Sequence, residues 1–256
     1  MPVRKAVEVF HSPSPWFGLC GQTSPVSNRL ICFPHGGGGA SAFGDWIRSV
    51  PSGLHICAVR LPGRESRFVE PAPTDLNVVV SAIADAVTES GTSPFALFGS
   101  CDGAVLALEL VRELERRSKR TPSTMFVCGQ EAPHLPRAHQ LRLHALPRAQ
   151  LIAELSRMGG LPEEVAANDE LMQLVEPTIR ADFRMFDTPI EYEPRIGSRI
   201  VGLHPSTDET CDPARMEAWR DLTTGSFALV SFRGGHFPLA EAREELMAIV
   251  VRELRT

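Results

Sequence analysis

The residues with the greatest chemical potential are Gly99-Ser100-Cys101-Asp102-Gly103. They follow the apolar run Phe95 to Phe98 and precede a run with helical apolar spacing. A nucleophile between glycines two residues to either side suits a sharp strand-to-helix turn, because small flanking residues let strand and helix approach. Cys101 holds the central position. Its reactive form is the thiolate, and the positive end of the following helix favours that form. Ser100 competes by residue type, but it sits one position early and its side chain should point elsewhere. The bland alternative is a dead turn in which Cys101 is an inert apolar thiol. The backbone N–H of Asp102 is the expected donor to an oxyanion. Its carboxylate, if close, would raise the pKa of the thiol; it could instead point away or meet a cationic group such as an amine.

A second glycine-rich stretch, His35-Gly36-Gly37-Gly38-Gly39, follows an earlier apolar run. Glycines there let backbone N–H groups reach a developing oxyanion, and Gly36 is the first choice as donor. A phosphate loop would need Lys-Ser or Lys-Thr after the glycines, and neither is present. Gly37, Gly39 and Ala42 fit only the loose form of the dinucleotide fingerprint. A plain flexible loop remains the bland reading. The general base is expected last in the chain, and His236 lies in Gly234-Gly235-His236-Phe237, directly after the last strand-like run. His35, His134, His139 and His144 have weaker placement. Asp208, in Pro205-Ser206-Thr207-Asp208-Glu209, is the expected acid that would orient the imidazole, with Asp212 as its rival.

These residues need a frame. Six short apolar runs read as buried parallel strands: Arg29 to Phe33, His55 to Val59, Phe95 to Phe98, Met125 to Val127, Ile200 to Leu203 and Phe227 to Phe232. Helical periodicity fills Asn77 to Glu89, Gly103 to Arg117 and Ala240 to Leu254. Strands alternating with helices imply a mostly parallel central sheet with helices on both faces, an α/β class. The order nucleophile, acid, base and the turn around Cys101 make it an α/β-hydrolase fold. The rhythm breaks between about residues 136 and 190, where helical patterns occupy Arg148 to Met158, Pro162 to Ala167 and Asp169 to Phe186. We expect one domain over residues 1–256 that carries this stretch as a helical lid, against the plainer reading of extra packing helices.

Composition narrows the function classes. The 256 residues are 43% hydrophobic and 22% charged, with net charge −5 from 26 basic and 31 acidic side chains. A mildly acidic chain lacks the clustered positive charge that nucleic acid requires. No segment reaches the roughly 18 to 20 apolar residues of a membrane span, and no apolar core of a signal peptide follows Arg4 and Lys5, so a cytoplasmic location is expected. Six cysteines are spread without a Cys-x-x-Cys pair, which argues against a zinc site. All six are expected to be free thiols, with Cys32, Cys57 and Cys128 as buried small hydrophobes.

Taken together the motifs resemble the type II thioesterases of nonribosomal peptide and polyketide synthesis. The resemblance runs from about Arg29 to Leu239. It rests on Cys32-Phe33-Pro34-His35 with its glycines, Leu61-Pro62-Gly63-Arg64-Glu65, Phe95-Ala96-Leu97-Phe98-Gly99, Gly159-Gly160-Leu161-Pro162, Arg180-Ala181-Asp182-Phe183 and Gly234-Gly235-His236-Phe237. Asp208 stands, relative to Trp219 and His236, where resemblance to the family's acid puts it. The resemblance implies an acyl or peptidyl carrier protein as partner, with the acyl group on its phosphopantetheine arm and no cofactor on the enzyme itself. It also implies a helical lid that shapes the acyl pocket.

The departure lies in the turn. The family usually reads Gly-His-Ser-Met-Gly, whereas this chain has Gly-Ser-Cys-Asp-Gly. Serine converts a thioester into a lower-energy oxoester that waits for water. Cysteine exchanges one thioester for another and keeps most of the transfer potential. A smaller group of similar proteins with cysteine at this position shuttles aminoacyl groups between carriers. The sequence thus favours acyl transfer to a second thiol or amine through acyl-Cys101. Hydrolytic editing of stalled carriers is the alternative, and an inactive carrier-binding protein is a third reading.

Overall fold

The computed structural model describes residues 7–91, 93–136 and 142–255. Among these, eight strands form one sheet: β1 (Glu8–His11), β2 (Phe17–Gln22), β3 (Asn28–Phe33), β4 (Leu54–Val59), β5 (Phe95–Ser100), β6 (Thr124–Cys128), β7 (Arg199–Pro205) and β8 (Phe227–Phe232). Their spatial order is β1-β2-β4-β3-β5-β6-β7-β8. Strands β4, β3, β5, β6, β7 and β8 run parallel. The six apolar runs of the sequence became these six strands. An antiparallel hairpin, β1 and β2, extends the sheet past β4.

Eight α-helices accompany the strands among the described residues: α1 (Gly44–Arg48), α2 (Leu76–Glu89), α3 (Gly103–Arg116), α4 (Arg148–Met158), α5 (Glu163–Ala166), α6 (Asp169–Phe186), α7 (Pro213–Glu217) and α8 (Arg243–Glu253). Helix α2 begins where the Asp75 carboxylate accepts from the N–H groups of Asn77 and Val78, which satisfies two donors left open at a helix start. The sheet separates two cores. Val79, Ile83 and Val87 of α2 pack with Val105, Leu108 and Val111 of α3 on one face. Trp46 of α1 and Leu246 and Val250 of α8 cover Leu30, Ile56 and Phe98 on the other. Burial of apolar strands from both sides is what makes their sequence read as continuous hydrophobic runs.

Helices α4, α5 and α6 lie between β6 and β7, within the stretch expected to be helical. They share a small core of Leu151, Leu155, Leu161, Met172 and Ile179. Gly159 ends α4 in the left-handed conformation, at φ 77°, which glycine adopts without steric cost. His139 lies outside the described residues. Among the described residues, no helix is long and apolar enough to cross a membrane.

The expectation of six free thiols is corrected at one pair. Cys20 and Cys57 are joined by a disulfide. They face each other across the antiparallel pair β2 and β4, with Cα atoms 4.4 Å apart. That spacing lies at the lower edge of what a disulfide spans. Cys57 is therefore a cross-link rather than an isolated buried thiol. Cys32, Cys101, Cys128 and Cys211 are free.

Candidate active site

The elbow forms at the end of β5. Cys101 has φ 48°, a left-handed conformation that costs a side-chain-bearing residue energy and occurs mostly at functional turns. Its N–H donates to the Cys128 carbonyl at 2.9 Å, and its own carbonyl accepts from the Ala104 N–H at 2.9 Å. The flanking glycines are sterically required. A Cβ at Gly99 would lie 2.3 Å from the Ala104 Cα, and one at Gly103 would lie 2.5 Å from the Phe33 carbonyl oxygen. Ser100 is fully buried and its Oγ has no hydrogen-bond partner. It points into the protein, so only Cys101 presents a nucleophile at this turn.

His236 and Asp208 are carried there by the loops after β8 and β7. The ring Nδ1 of His236 lies 2.8 Å from Asp208 Oδ2, and the imidazole interacts electrostatically with the Cys101 sulfur. The second Asp208 oxygen accepts from the Thr210 N–H at 2.8 Å and from the Thr210 hydroxyl at 2.7 Å. The rival Asp212 instead caps α7, accepting from the Ala214 N–H at 2.8 Å. Thr210 was not legible as a site residue, because threonine is ordinary in loops.

Charge is divided unevenly across this group. Burial disfavours a charged His236, but the Cys101 sulfur and the Asp208 carboxylate overcome it and push the imidazole up to about 10. Burial likewise opposes ionisation of Asp208, and His236 and Thr210 outweigh it, holding the carboxyl below its ordinary value. Burial and the neighbouring Asp102 carboxylate push the Cys101 thiol above its ordinary value, while His236 pulls it down. The helix N-terminus was expected to favour the thiolate; desolvation and the Asp102 charge outweigh it. The Asp102 N–H hydrogen-bonds toward Cys101.

The glycine-rich loop lies between the elbow and α6. A Cβ at Gly36 would come 3.0 Å from Asp102 Oδ2 and 3.3 Å from the Phe183 ring. The Asp102 carboxylate thus lies beside Gly36, and both residues line the cavity that Cys101 enters. His35 is held neutral: burial first, then His236 and Arg64, lowers it to about 4. The loop is anchored by two residues that the sequence offered only as part of a resemblance. Asp182 of α6, fully buried, accepts from the Gly37 N–H at 2.8 Å and from Arg64 Nη1 at 2.6 Å and Nη2 at 2.7 Å. Arg64 Nη1 also donates to the Gly38 carbonyl at 2.8 Å. A cavity of about 820 Å³ opens beside Cys101 and His236, with Leu155 and Met158 of α4 and Phe183 and Phe186 of α6 in its wall.

A parallel sheet with a nucleophile on a strained strand–helix turn, and a His and an Asp on later loops, is the frame of the α/β-hydrolases. The chain belongs to the thioesterase family: residues 28–254 match the Thioesterase domain. It is 34% identical over 249 residues to the linear gramicidin dehydrogenase LgrE of Brevibacillus parabrevis, covering 96% of this chain and 94% of that protein. It is also 34% identical over 247 residues to the gramicidin S biosynthesis protein GrsT of Aneurinibacillus migulanus, covering 94% of each. Among solved structures, the type II thioesterase BorB of the borrelidin cluster is 31% identical, with a TM-score of 0.80 over 91% of this chain and 95% of that one.

Proposed function

We propose that the chain is a thioesterase-family acyltransferase that acts on acyl thioesters of phosphopantetheine carrier proteins through an acyl-Cys101 intermediate. The observation that carries this reading is a cysteine at the strained turn, in one cavity with a His236 that Asp208 orients. The Cys101 sulfur attacks the thioester carbonyl with the proton of the Cys101–His236 pair held on the imidazole. The Gly36 and Asp102 N–H groups bind the resulting oxyanion. On its collapse the pantetheine sulfur leaves and receives the proton from His236. A second thiol or an amine then gives its proton to His236 and attacks the acyl-cysteine, and Cys101 is regenerated. The cavity walled in part by Leu155, Met158, Phe183 and Phe186 holds the acyl chain, and α4 and α6 serve as a lid. GrsT is by name a gramicidin S biosynthesis protein and BorB a type II thioesterase of the borrelidin biosynthetic cluster, which supports a carrier protein as partner.

A second reading is favoured by the family itself. Water as the acceptor would make the chain a type II editing thioesterase that clears stalled carriers. Incubation with an acyl-loaded carrier, followed by intact-mass analysis, separates the two. Transfer predicts an acyl adduct on the enzyme that vanishes in Cys101→Ala and label that appears on a second carrier. Rapid release of free acid with no label on the second carrier would reject transfer in favour of editing. No adduct and no turnover would sink both.

A further inference from the structure

A second cluster of ligand-type side chains lies on the sheet, away from the reactive cysteine. Cys57 and His55 are two apart on β4 and so share a face, and Cys20 of β2 is the cross-strand neighbour of Cys57. The two sulfurs and a His55 ring nitrogen all lie within 4.8 Å of one another. His55 Nε2 is 3.0 Å from Cys57 Sγ. We propose that in the dithiol state Cys20, Cys57 and His55 form a binding site for a thiophilic divalent cation such as Zn²⁺.

The donor set is right for such an ion: two thiolates and one imidazole, with a fourth position left for water. Bonds of about 2.3 Å to sulfur and about 2.0 Å to nitrogen put tetrahedral ligand atoms roughly 3.5 to 3.8 Å apart. The present cluster reaches this spacing by side-chain rotation once the sulfurs separate, with the strands left paired. His55 is only half-buried and its Nε2 faces the Cys57 sulfur at 3.0 Å, so a ring nitrogen is already aimed at the cluster. Arg29, the second residue of β3, pairs with His55 across the sheet. Its cation favours the two thiolates, and a divalent ion with two thiolates is neutral, so the guanidinium does not oppose the complex. An entry path exists: all three side chains line a cavity of about 680 Å³ walled by Trp16, Phe17 and Ile31.

Disulfide and metal exclude each other at this site. A reducing dithiol supplies two electrons and two protons, opens Cys20–Cys57, and is itself converted to its disulfide. Binding of the cation then releases the two thiol protons to solvent. The linear sequence hides the site because its ligands come from two strands without the usual Cys-x-x-Cys spacing.

The test is titration of the full-length protein with Co²⁺ under anaerobic conditions, before and after reduction with a phosphine. Reduced protein should take up one equivalent and develop a thiolate-to-cobalt charge-transfer band and tetrahedral ligand-field bands, displaced by Zn²⁺. Oxidised protein should show neither. Cys20→Ser and His55→Ala should each weaken Co²⁺ binding by more than about 100-fold, beyond what loss of an outer-shell partner costs. Circular dichroism and Cys101 alkylation should be unchanged in both variants. Cys101→Ser should keep the band. Absence of the band in reduced protein would overturn the proposal. So would its persistence in Cys20→Ser/Cys57→Ser, or its loss in Cys101→Ser.

Discussion

Replacement of Asp182 by asparagine tests how the reactive end is held together. The carboxylate accepts three donors: Gly37 N–H and Arg64 Nη1 on one oxygen, Arg64 Nη2 on the other. Asparagine has one acceptor oxygen, so its NH₂ must face a donor whichever way the amide is turned. The Arg64 guanidinium then stays buried without a countercharge. Its side chain is 8% exposed and that of Asp182 is 1% exposed, so solvent cannot compensate. Removing one partner of a buried pair costs about 3 to 5 kcal/mol. At roughly 2 to 4 °C per kcal/mol for a chain of this size, the lower figure predicts a fall in Tm of about 6 to 12 °C. The protein should remain folded, because domains are stable by about 5 to 15 kcal/mol. The glycine-rich loop loses its tether to α6, and a misplaced catalytic group costs up to about 100-fold in rate. Acyl transfer or hydrolysis from an acyl-pantetheine thioester should show a kcat about 10- to 100-fold lower, with KM within about threefold. Arg64→Met/Asp182→Leu should recover much of the stability but not the rate, because the buried charges are gone while the tether is still missing. A Tm within about 2 °C of wild type together with a kcat within about twofold would refute the reasoning.

Other consequences are directly measurable. Cys101→Ser should leave the fold intact and convert the acyl intermediate from thioester to oxoester, so intact-mass analysis should find an adduct that no longer passes to a second thiol. The pH dependence has a definite sign. His236 is raised from 6.5 to about 10, so its stabilising contribution is full below about pH 6.5 and is lost as pH rises through about 10. NMR titration of its ring should report an elevated pKa in wild type and one nearer 6.5 in Cys101→Ala or Asp208→Asn; an unchanged value would remove the electrostatic account. Asp208 is lowered, so its contribution is present above its ordinary value and is lost on acidification. Thr210→Val removes the hydroxyl donor to Asp208 and should lower kcat/KM by about tenfold, the worth of a hydrogen bond to a charged group; an unchanged kcat/KM would assign Thr210 no part in orienting the acid.

The parts of the site that were legible in the sequence are those encoded within a few residues. The spacing of Gly99, Cys101 and Gly103 dictates the turn, because no other residues fit against Ala104 and Phe33. The six parallel strands are legible because both their faces are buried. The hairpin was missed for the opposite reason. The β1 residues are mostly exposed, and β2 contains two glycines, so neither shows the apolar run of a buried strand. Arg64 and Asp182 are 118 residues apart, and only the fold brings them together. Sequence order also could not reveal that desolvation and Asp102 would outweigh the helix N-terminus at Cys101. That balance depends on how deeply the turn is set, which is a property of the packed molecule.

The hairpin has a consequence for how this chain tolerates shortening. The family match begins at residue 28, after β2. A chain cut there would keep every residue of the elbow and its partners, yet it would strip β4 of the strand that pairs along its outer side. Ile56 and its neighbours would then border a row of unpaired backbone donors and acceptors, the template on which sheets join edge to edge. In the intact chain that frontier falls on β1, four residues long and carrying Glu8 and His11. A strand of only four residues with charge at its start offers little length for another chain to pair with. The hairpin thus shields the long edge of β4, and trimming to the family boundary is expected to lower colloidal stability before it touches the site around Cys101.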